Sequence, residues 1–272
     1  MNVPFFRSAA VVALACVAVL SQASFASAAP VLPPANGVFD YQLGGAYAPA
    51  ADVQIVDRDR TDEPVAGKYN ICYVNAFQTQ PDESAAFAKA HPDLLVKASN
   101  GKPLVDPGWP DEYLFDISTA AKRAQLMTIV GPWIDGCASS GFQAVEADNL
   151  DSYLRSKGKL SEANAIAFAT QLTARAHTAQ LAIGQKNGAE FTEVGKTQIG
   201  FDFAVTEECQ VWNECDAYTD VYGDQVYEIE YTDNGSTAYP VACAAQGRTI
   251  SVIYRDRNVV PRGAAGYVYK TC

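Results

Sequence analysis

The 272-residue sequence lacks what many enzyme chemistries require. It has two histidines, His91 and His177, and neither lies near a candidate nucleophile. There is no G-x-S-x-G elbow and no H-E-x-x-H pair, which removes the usual serine-hydrolase and zinc-protease layouts. No C-x-x-C offers a zinc frame, and the Asp-rich stretch lacks the spaced ligands and glycine of an EF-hand loop. No glycine-rich phosphate loop follows a candidate strand, against an open doubly wound nucleotide fold. Basic charge is scarce as well. Twenty Lys+Arg face 31 Asp+Glu, for a net charge of −11. A phosphate backbone needs a basic face, so nucleic acid is not the expected partner. A polycation or an amino sugar suits the balance better, although acidity also serves plain solubility. Internal repeats, linkers and low-complexity tracts are absent too.

The first segment reads as a signal rather than as fold. Arg7 precedes an apolar run, Ala9–Leu20, and the small-residue stretch Ser24–Ala29 follows it. That is the order of a secretory leader, and the run is too short for a typical spanning helix. Cleavage is expected after Ala28, so residues 1–28 are a signal peptide, 29–37 a short leader and 38–272 the catalytic domain. The mature chain is expected to be secreted, extracellular or periplasmic, with no membrane partner, and to act as a monomer. Six of the seven cysteines remain after the signal: Cys72, Cys137, Cys209, Cys215, Cys243 and Cys272. An even number in an exported chain suggests disulfides. The short spacing favours Cys209 with Cys215. Cys243 with Cys272 could anchor the C-terminus, leaving Cys72 with Cys137, although six cysteines allow 15 pairings.

Hydrophobic residues make up 49% and charged residues 19%, enough for a sizeable core. Short apolar runs punctuate the chain at Phe39–Leu43, Val53–Asp57, Asn70–Asn75, Tyr113–Ile117, Ala144–Asp148, Leu181–Lys186, Phe203–Glu207, Val226–Tyr231 and Thr249–Arg255. Helical patterns lie between several of them, most clearly Ser161–Gln180, which Ser161 can cap, and Ala120–Ile134. Strands separated by helices predict a parallel sheet covered by helices, and the length fits a single (β/α)8 TIM barrel. Nine strands are one too many. Phe39–Leu43 is therefore taken as an extra N-terminal strand, and the barrel is counted from Val53–Asp57.

In such a barrel, chemistry sits at the C-terminal strand ends. These read Asp57, Asn75, Asp116, Asp148, Lys186 with Asn187, Glu207 with Glu208, Glu230 and Asp256. Loops are usually polar, but a ring of carboxylates on one rim exceeds what solubility requires. The densest block is Val145–Asp151. Strand alternation puts Glu146 and Asp148 on one face and turns Val145 and Ala147 toward the helices. Two like charges so close raise each other's pKa or demand a cation. Asp151 serves equally well as a helix cap or ion-pair partner. Two strands on, Cys209 can stiffen the mount of Glu207 and Glu208. A carboxylate on strand four facing one on strand six is the layout glycoside hydrolysis uses. The expected pair is Asp148 and Glu207, with Glu207 as general acid and Asp148 as nucleophile or charge stabiliser, or the reverse. Tyr41, Tyr73, Trp109, Tyr153, Trp212 and Tyr231 fall at or near strand ends, where aromatic faces can pack on sugar rings, though each could equally be ordinary packing.

The order Tyr41-Gln42-Leu43, Ile71-Cys72-Tyr73, Gly136-Cys137, Val145–Asp151, Ala176-His177, Gly184–Asn187, Phe201–Val205, Glu207-Glu208-Cys209 and Glu230-Tyr231 resembles glycoside hydrolase family 114. These are the endo-α-1,4-polygalactosaminidases. The likeness runs from about Phe39 to Cys272. It departs from the family pattern at Val74–Gln80 and at Ser118. The resemblance implies a TIM barrel and cleavage within α-1,4-linked galactosamine polymers, with Asp148 and Glu207 matching the family's carboxylates on strands four and six. The substrate would be a cationic amino-sugar polysaccharide. Asp57, Tyr73, Asp116, Glu146, Asp151, Lys186, Asn187, Glu208, Trp212, Glu230 and Tyr231 are the candidate substrate contacts. No metal or organic cofactor is implied. The competing expectations are a non-catalytic polysaccharide-binding protein on a hydrolase scaffold and a hydrolase of another α-linked glycan.

Overall fold

The protein is described by a computed structural model that covers Met1 and residues 29–272, so the signal-like segment and Cys16 lie outside the described residues. Short runs of β-branched, aromatic and small residues form nine strands: β1 (Phe39–Tyr41), β2 (Ile55–Asp59), β3 (Tyr69–Asn75), β4 (Ala144–Asp148), β5 (Ala182–Lys186), β6 (Phe203–Glu207), β7 (Val226–Tyr231), β8 (Ser251–Arg255) and β9 (Tyr269–Thr271). Each of β1 to β7 pairs in parallel with its successor, and β9 joins β8 antiparallel. Among the described residues, eight α-helices accompany them: α1 (Ser84–Ala90), α2 (Ala120–Ser140), α3 (Ser152–Arg155), α4 (Glu162–Thr178), α5 (Thr192–Val194), α6 (Cys209–Trp212), α7 (Cys215–Tyr222) and α8 (Ala238–Ala245). The sheet curls until β8 meets β1. There Ser251 Oγ donates to Gly37 O at 2.7 Å, and the buried Arg255 guanidinium donates to the carbonyls of Tyr41 and Val260. The result is the TIM barrel the sequence implies. Among the described residues, no helix is long and apolar enough to cross a membrane.

The strand inventory differs from the expected one in two places. Phe39–Tyr41 is the first barrel strand and not an extra N-terminal one, in register with β2 from Phe39↔Ile55 to Tyr41↔Asp57. Tyr113–Ile117 is not a barrel strand. Its residues bridge singly to Gln78, Leu95 and Val105 in the excursion between β3 and α2. β3 already pairs with β4 from Ile71↔Ala144 to Asn75↔Asp148, so no slot is left between them. The two differences cancel. Ala144–Asp148 remains fourth and Phe203–Glu207 sixth, while the surplus strand is β9 at the C-terminus.

Strand alternation divides the apolar residues into two cores. Phe39, Ile55, Ile71, Phe203, Tyr227, Ile229 and Ile253 fill the barrel interior. Val74, Val145, Ala147, Ile183, Ala204 and Val252 pack outward against the helices. Gly184 is required inside, because a Cβ there would meet the Phe203 ring at 2.5 Å. The outer layer is set by helix periodicity. In α4 the buried residues Ala165, Phe168, Ala169, Leu172 and Ala176 recur at three and four, which turns one face to the sheet. Ser161 caps that helix in a box with Asn164, as its position suggested. Three disulfides close the expected pairs: Cys72–Cys137 ties β3 to α2, Cys209–Cys215 joins α6 to α7, and Cys243–Cys272 ties α8 to the C-terminus.

Candidate active site

The inward positions of each strand stack in layers toward the C-terminal rim, and depth decides what each polar side chain can touch. In β2 the inward residues run Ile55, Asp57, Asp59, and in β4 they run Ala144, Glu146, Asp148. Asp57 and Glu146 therefore sit one layer below the rim and are fully buried. Asp59 and Asp148 reach a cleft of about 540 Å³, which Tyr73, Lys186, Glu207 and Tyr231 also line.

Lys186 organises both layers. Its Nζ lies 2.8 Å from Glu146 Oε1 and 2.9 Å from Tyr41 OH below, and 3.8 Å from Asp148 Oδ1 and 3.5 Å from Glu207 Oε2 above. Burial alone would lower the lysine pKa. Asp148, Glu146 and Glu207 outweigh it and hold the ammonium well above the usual range. Beneath, Asp57 is pushed well up, first by burial and then by Glu146.

Asp148 and Glu207 are each clasped by fixed donors. Asp148 accepts from Tyr73 OH at 2.7 Å and from the Asn149 N–H at 2.7 Å. Glu207 accepts from Asn187 Nδ2 at 2.9 Å and from Tyr231 OH, and its own N–H donates to Asn187 Oδ1 at 2.8 Å. Burial raises Asp148, and Lys186 only partly offsets that. Burial also acts on Glu207, but Lys186, Tyr231, Asn187 and Arg257 overcome it and hold the acid below its ordinary value. Glu207 is thus held as the more readily ionised of the two. The rim itself is conformationally tense. Asn149, Asn187 and Glu208, just past the ends of β4, β5 and β6, all have positive φ (67°, 52° and 63°). Asparagine tolerates this region well, whereas a glutamate there needs anchoring. Arg257 and Asn234 supply it by binding the Glu208 carboxylate.

The structure brings Asp148, Glu207, Tyr73, Asp151, Lys186, Asn187 and Tyr231 to the one cleft. It places the other candidates elsewhere. Asp57 and Glu146 lie beneath it and act through Lys186. Asp116 is tied to Ser118 and Lys122 at the start of α2. Glu230 shares the outer face of β7 with Glu228, since Ile229 and Tyr231 take the inward positions. Glu208 turns to Arg257, and Trp212 is 67% exposed on α6 outside the cleft lining. Sequence reasoning missed Asp59, Asp106, Glu112, Arg155 and Arg257, which also line the cleft. Asp59 could have been found by carrying the alternation two residues past Asp57. The others come from loops with no periodic signal. Among the described residues, the one His/Cys/Asp/Glu group close enough to share a metal ion is Cys209, Cys215 and Glu228, and its two sulfurs are joined in a disulfide.

The sequence profile of glycoside-hydrolase family GH114 matches residues 20–272. No curated protein sequence matches the chain. Among solved structures, Aspergillus fumigatus Ega3 in complex with galactosamine superposes with a TM-score of 0.71 at 23% identity, over 90% of this chain and 98% of that one. The glycoside hydrolase domain of PelA from Pseudomonas aeruginosa superposes with a TM-score of 0.59 at 14% identity, over 84% of this chain and 98% of that one. At these identities the likeness establishes the barrel.

Proposed function

The chain belongs to glycoside hydrolase family 114, and on that premise we propose that it is a secreted, endo-acting hydrolase of α-1,4-linked galactosamine polymers whose carboxylate pair is Asp148 and Glu207. The observation that carries this reading is that both side chains line one cleft and lie within 4 Å of one ammonium, Lys186. Their separation cannot exceed the sum of those two distances. That keeps them inside the upper limit of roughly 9.5 Å at which glycosidase carboxyl pairs operate. One carboxyl delivers a proton to the glycosidic oxygen while the other attacks C1, shields its developing charge or activates water. Lys186 offsets the charge of the pair, and Tyr73, Tyr231 and Asn187 fix the two carboxylates in place.

Four further features support the substrate and the site of action. The net charge of −11 attracts a cationic chain over a distance. The relative Ega3 was solved with galactosamine bound. A second hollow of about 310 Å³ shares Leu43, Gly44, Asp59 and Gln80 with the main cleft, so the trough continues past the pair, as an internal cut in a polymer requires. Three disulfides and the signal-like leader suit an oxidising compartment.

The test is to incubate the protein with polygalactosamine and follow new reducing ends, then repeat with Asp148→Asn and Glu207→Gln. Each substitution is expected to cost at least about 10²–10⁴-fold with the fold retained. Binding without cleavage by the native protein would instead identify a carbohydrate-binding scaffold, and full activity in both variants would mean that other residues do the chemistry. Leaving-group dependence separates the roles. Loss of the acid spares glycosides with good aryl leaving groups, and loss of the nucleophile does not.

A further inference from the structure

Six carboxylates line the main cleft: Asp59, Asp106, Glu112, Asp148, Asp151 and Glu207. Their counter-charges are unevenly supplied. Lys186 serves Asp148 and Glu207, and Arg155 serves Asp106 and Asp151. Among the described residues no cation lies within salt-bridge distance of Asp59 or Glu112. Asp59 is saturated by neutral donors. Its Oδ1 accepts from the N–H and hydroxyl of Thr61 and its Oδ2 from Gln80 Nε2. Glu112 is not saturated. Only 7% exposed, it accepts on Oε2 alone, from Asn75 Nδ2 at 2.8 Å and Gln78 Nε2 at 2.9 Å. Among the described residues its Oε1 accepts no hydrogen bond, and that atom is not sealed from solvent.

Glu112 lines the cleft with one oxygen unpartnered and no counter-ion, and burial pushes its carboxyl above the ordinary glutamate value, so its charged form lacks the support that a cation would give. We propose that Glu112 gains that support by receiving a protonated amine of the substrate, and so is the residue that selects amino sugars over N-acetylated or neutral ones. This inference rests on the hydrolase reading above and adds a specificity residue to it.

The mount suits that task. Glu112 closes a tight turn in which the Asp106 N–H donates to Glu112 O at 3.0 Å and the Glu112 N–H donates to Trp109 O at 2.9 Å. Asp106 Oδ1 caps the turn by accepting from the N–H groups of Gly108 and Trp109. A ligand therefore meets a carboxylate that is already positioned. Trp109, on the same turn, is 56% exposed and lines the cleft. It offers a ring face to the C–H face of the sugar whose amine Glu112 takes. The turn also adjoins the reacting centre, because Asn75 donates to Glu112 and accepts at Oδ1 from Asn149 Nδ2 at 2.9 Å, and Asn149 follows Asp148. An acetamido group brings an N–H without charge, and a hydroxyl brings neither charge nor an ammonium's three donors.

Glu112→Gln tests this. Its carbonyl can keep the two contacts from Asn75 and Gln78 while an NH₂ replaces the open acceptor. The measurement is the ratio of kcat/KM on fully deacetylated polygalactosamine to that on its N-acetylated form. The ratio is expected to fall about ten- to a hundredfold, mostly through KM, as for a lost charge-assisted contact. Glu112→Asp keeps the charge on a shorter arm and is expected to fall between the two, which covers a Gln variant that does not fold. An unchanged ratio, or equal losses on both polymers, overturns the inference and leaves the hydrolase reading standing. A native protein that cleaves neither polymer defeats the hydrolase reading itself, and that is known before any variant is made.

Discussion

Lys186 and Glu146 form a buried ion pair, Nζ to Oε1 at 2.8 Å, on the floor of the cleft directly beneath the two carboxylates proposed to do the chemistry. Both side chains are buried, so neither finds a replacement partner in solvent. Lys186→Met is expected to cost about 3–5 kcal/mol of stability, because it strands buried carboxylates. Adding Glu146→Gln should restore part of that stability in urea unfolding but none of the activity, since Asp148 and Glu207 still lack their cation. Simple additivity of the two losses would show that the pair is not coupled.

Tyr231 tunes Glu207 and not Asp148. Its hydroxyl helps hold Glu207 below the ordinary glutamate value, so Tyr231→Phe should raise the pKa of that carboxyl. The limb of the pH–activity profile that follows Glu207 is expected to move to higher pH. Tyr73→Phe removes the hydroxyl on Asp148 and should move the other limb instead. Identical shifts in the two variants would contradict this division.

Glu228 and Glu230 form a second carboxyl pair, buried behind β7 against the Cys209–Cys215 disulfide. Burial, then contact with Glu230, pushes Glu228 from 4.5 up to about 9. A carboxyl raised on folding stabilises the fold fully below its unfolded value, and that stability is lost as pH rises through the folded one. Thermal stability is thus expected to decline between about pH 5 and 9, and Glu228→Gln should flatten the decline. Glu207 contributes with the opposite sign, because its folded value is depressed. Its share is present above the unfolded value and is lost as pH falls through the folded one. A native protein equally stable at pH 5 and pH 9 would contradict the account of Glu228.

The disulfides should separate stability from activity. Cys72–Cys137 spans 65 residues and Cys209–Cys215 spans six. Loop-closure entropy puts their contributions at about 4 and about 2 kcal/mol. Serine replacement of the first pair should lower the unfolding midpoint more. Replacement of the second should lower kcat more, because that bridge braces α6 two residues beyond Glu207. The opposite ranking of the two effects would show that the short bridge plays no part in holding the site.

Much of this was legible beforehand. Alternation placed Glu146 and Asp148 on one face of β4, the Ser161 cap began α4 where expected, and cysteine spacing anticipated the Cys209–Cys215 bridge. Each of these is a local property, written in neighbouring residues. The failures were also local readings. Tyr113–Ile117 has the composition of a strand but pairs with its own excursion, and no period says which partner a strand finds. Glu230 lies near the end of a strand as Asp148 does, yet Ile229 and Tyr231 hold the interior and turn it outward. Two apolar sets on alternate faces look alike until something decides which is inside.

The sequence by itself determined the class of fold, the alternating faces and the supply of carboxylates, because these follow from periodicity and composition. Only the tertiary structure decided depth and company. It buried Asp57 and Glu146 one layer under the rim, set the Lys186 ammonium between Asp148 and Glu207, and left Glu112 on a loop wall with no cation partner among the described residues. Those outcomes depend on strand register, barrel closure and the path of an aperiodic excursion, which join residues far apart in the chain.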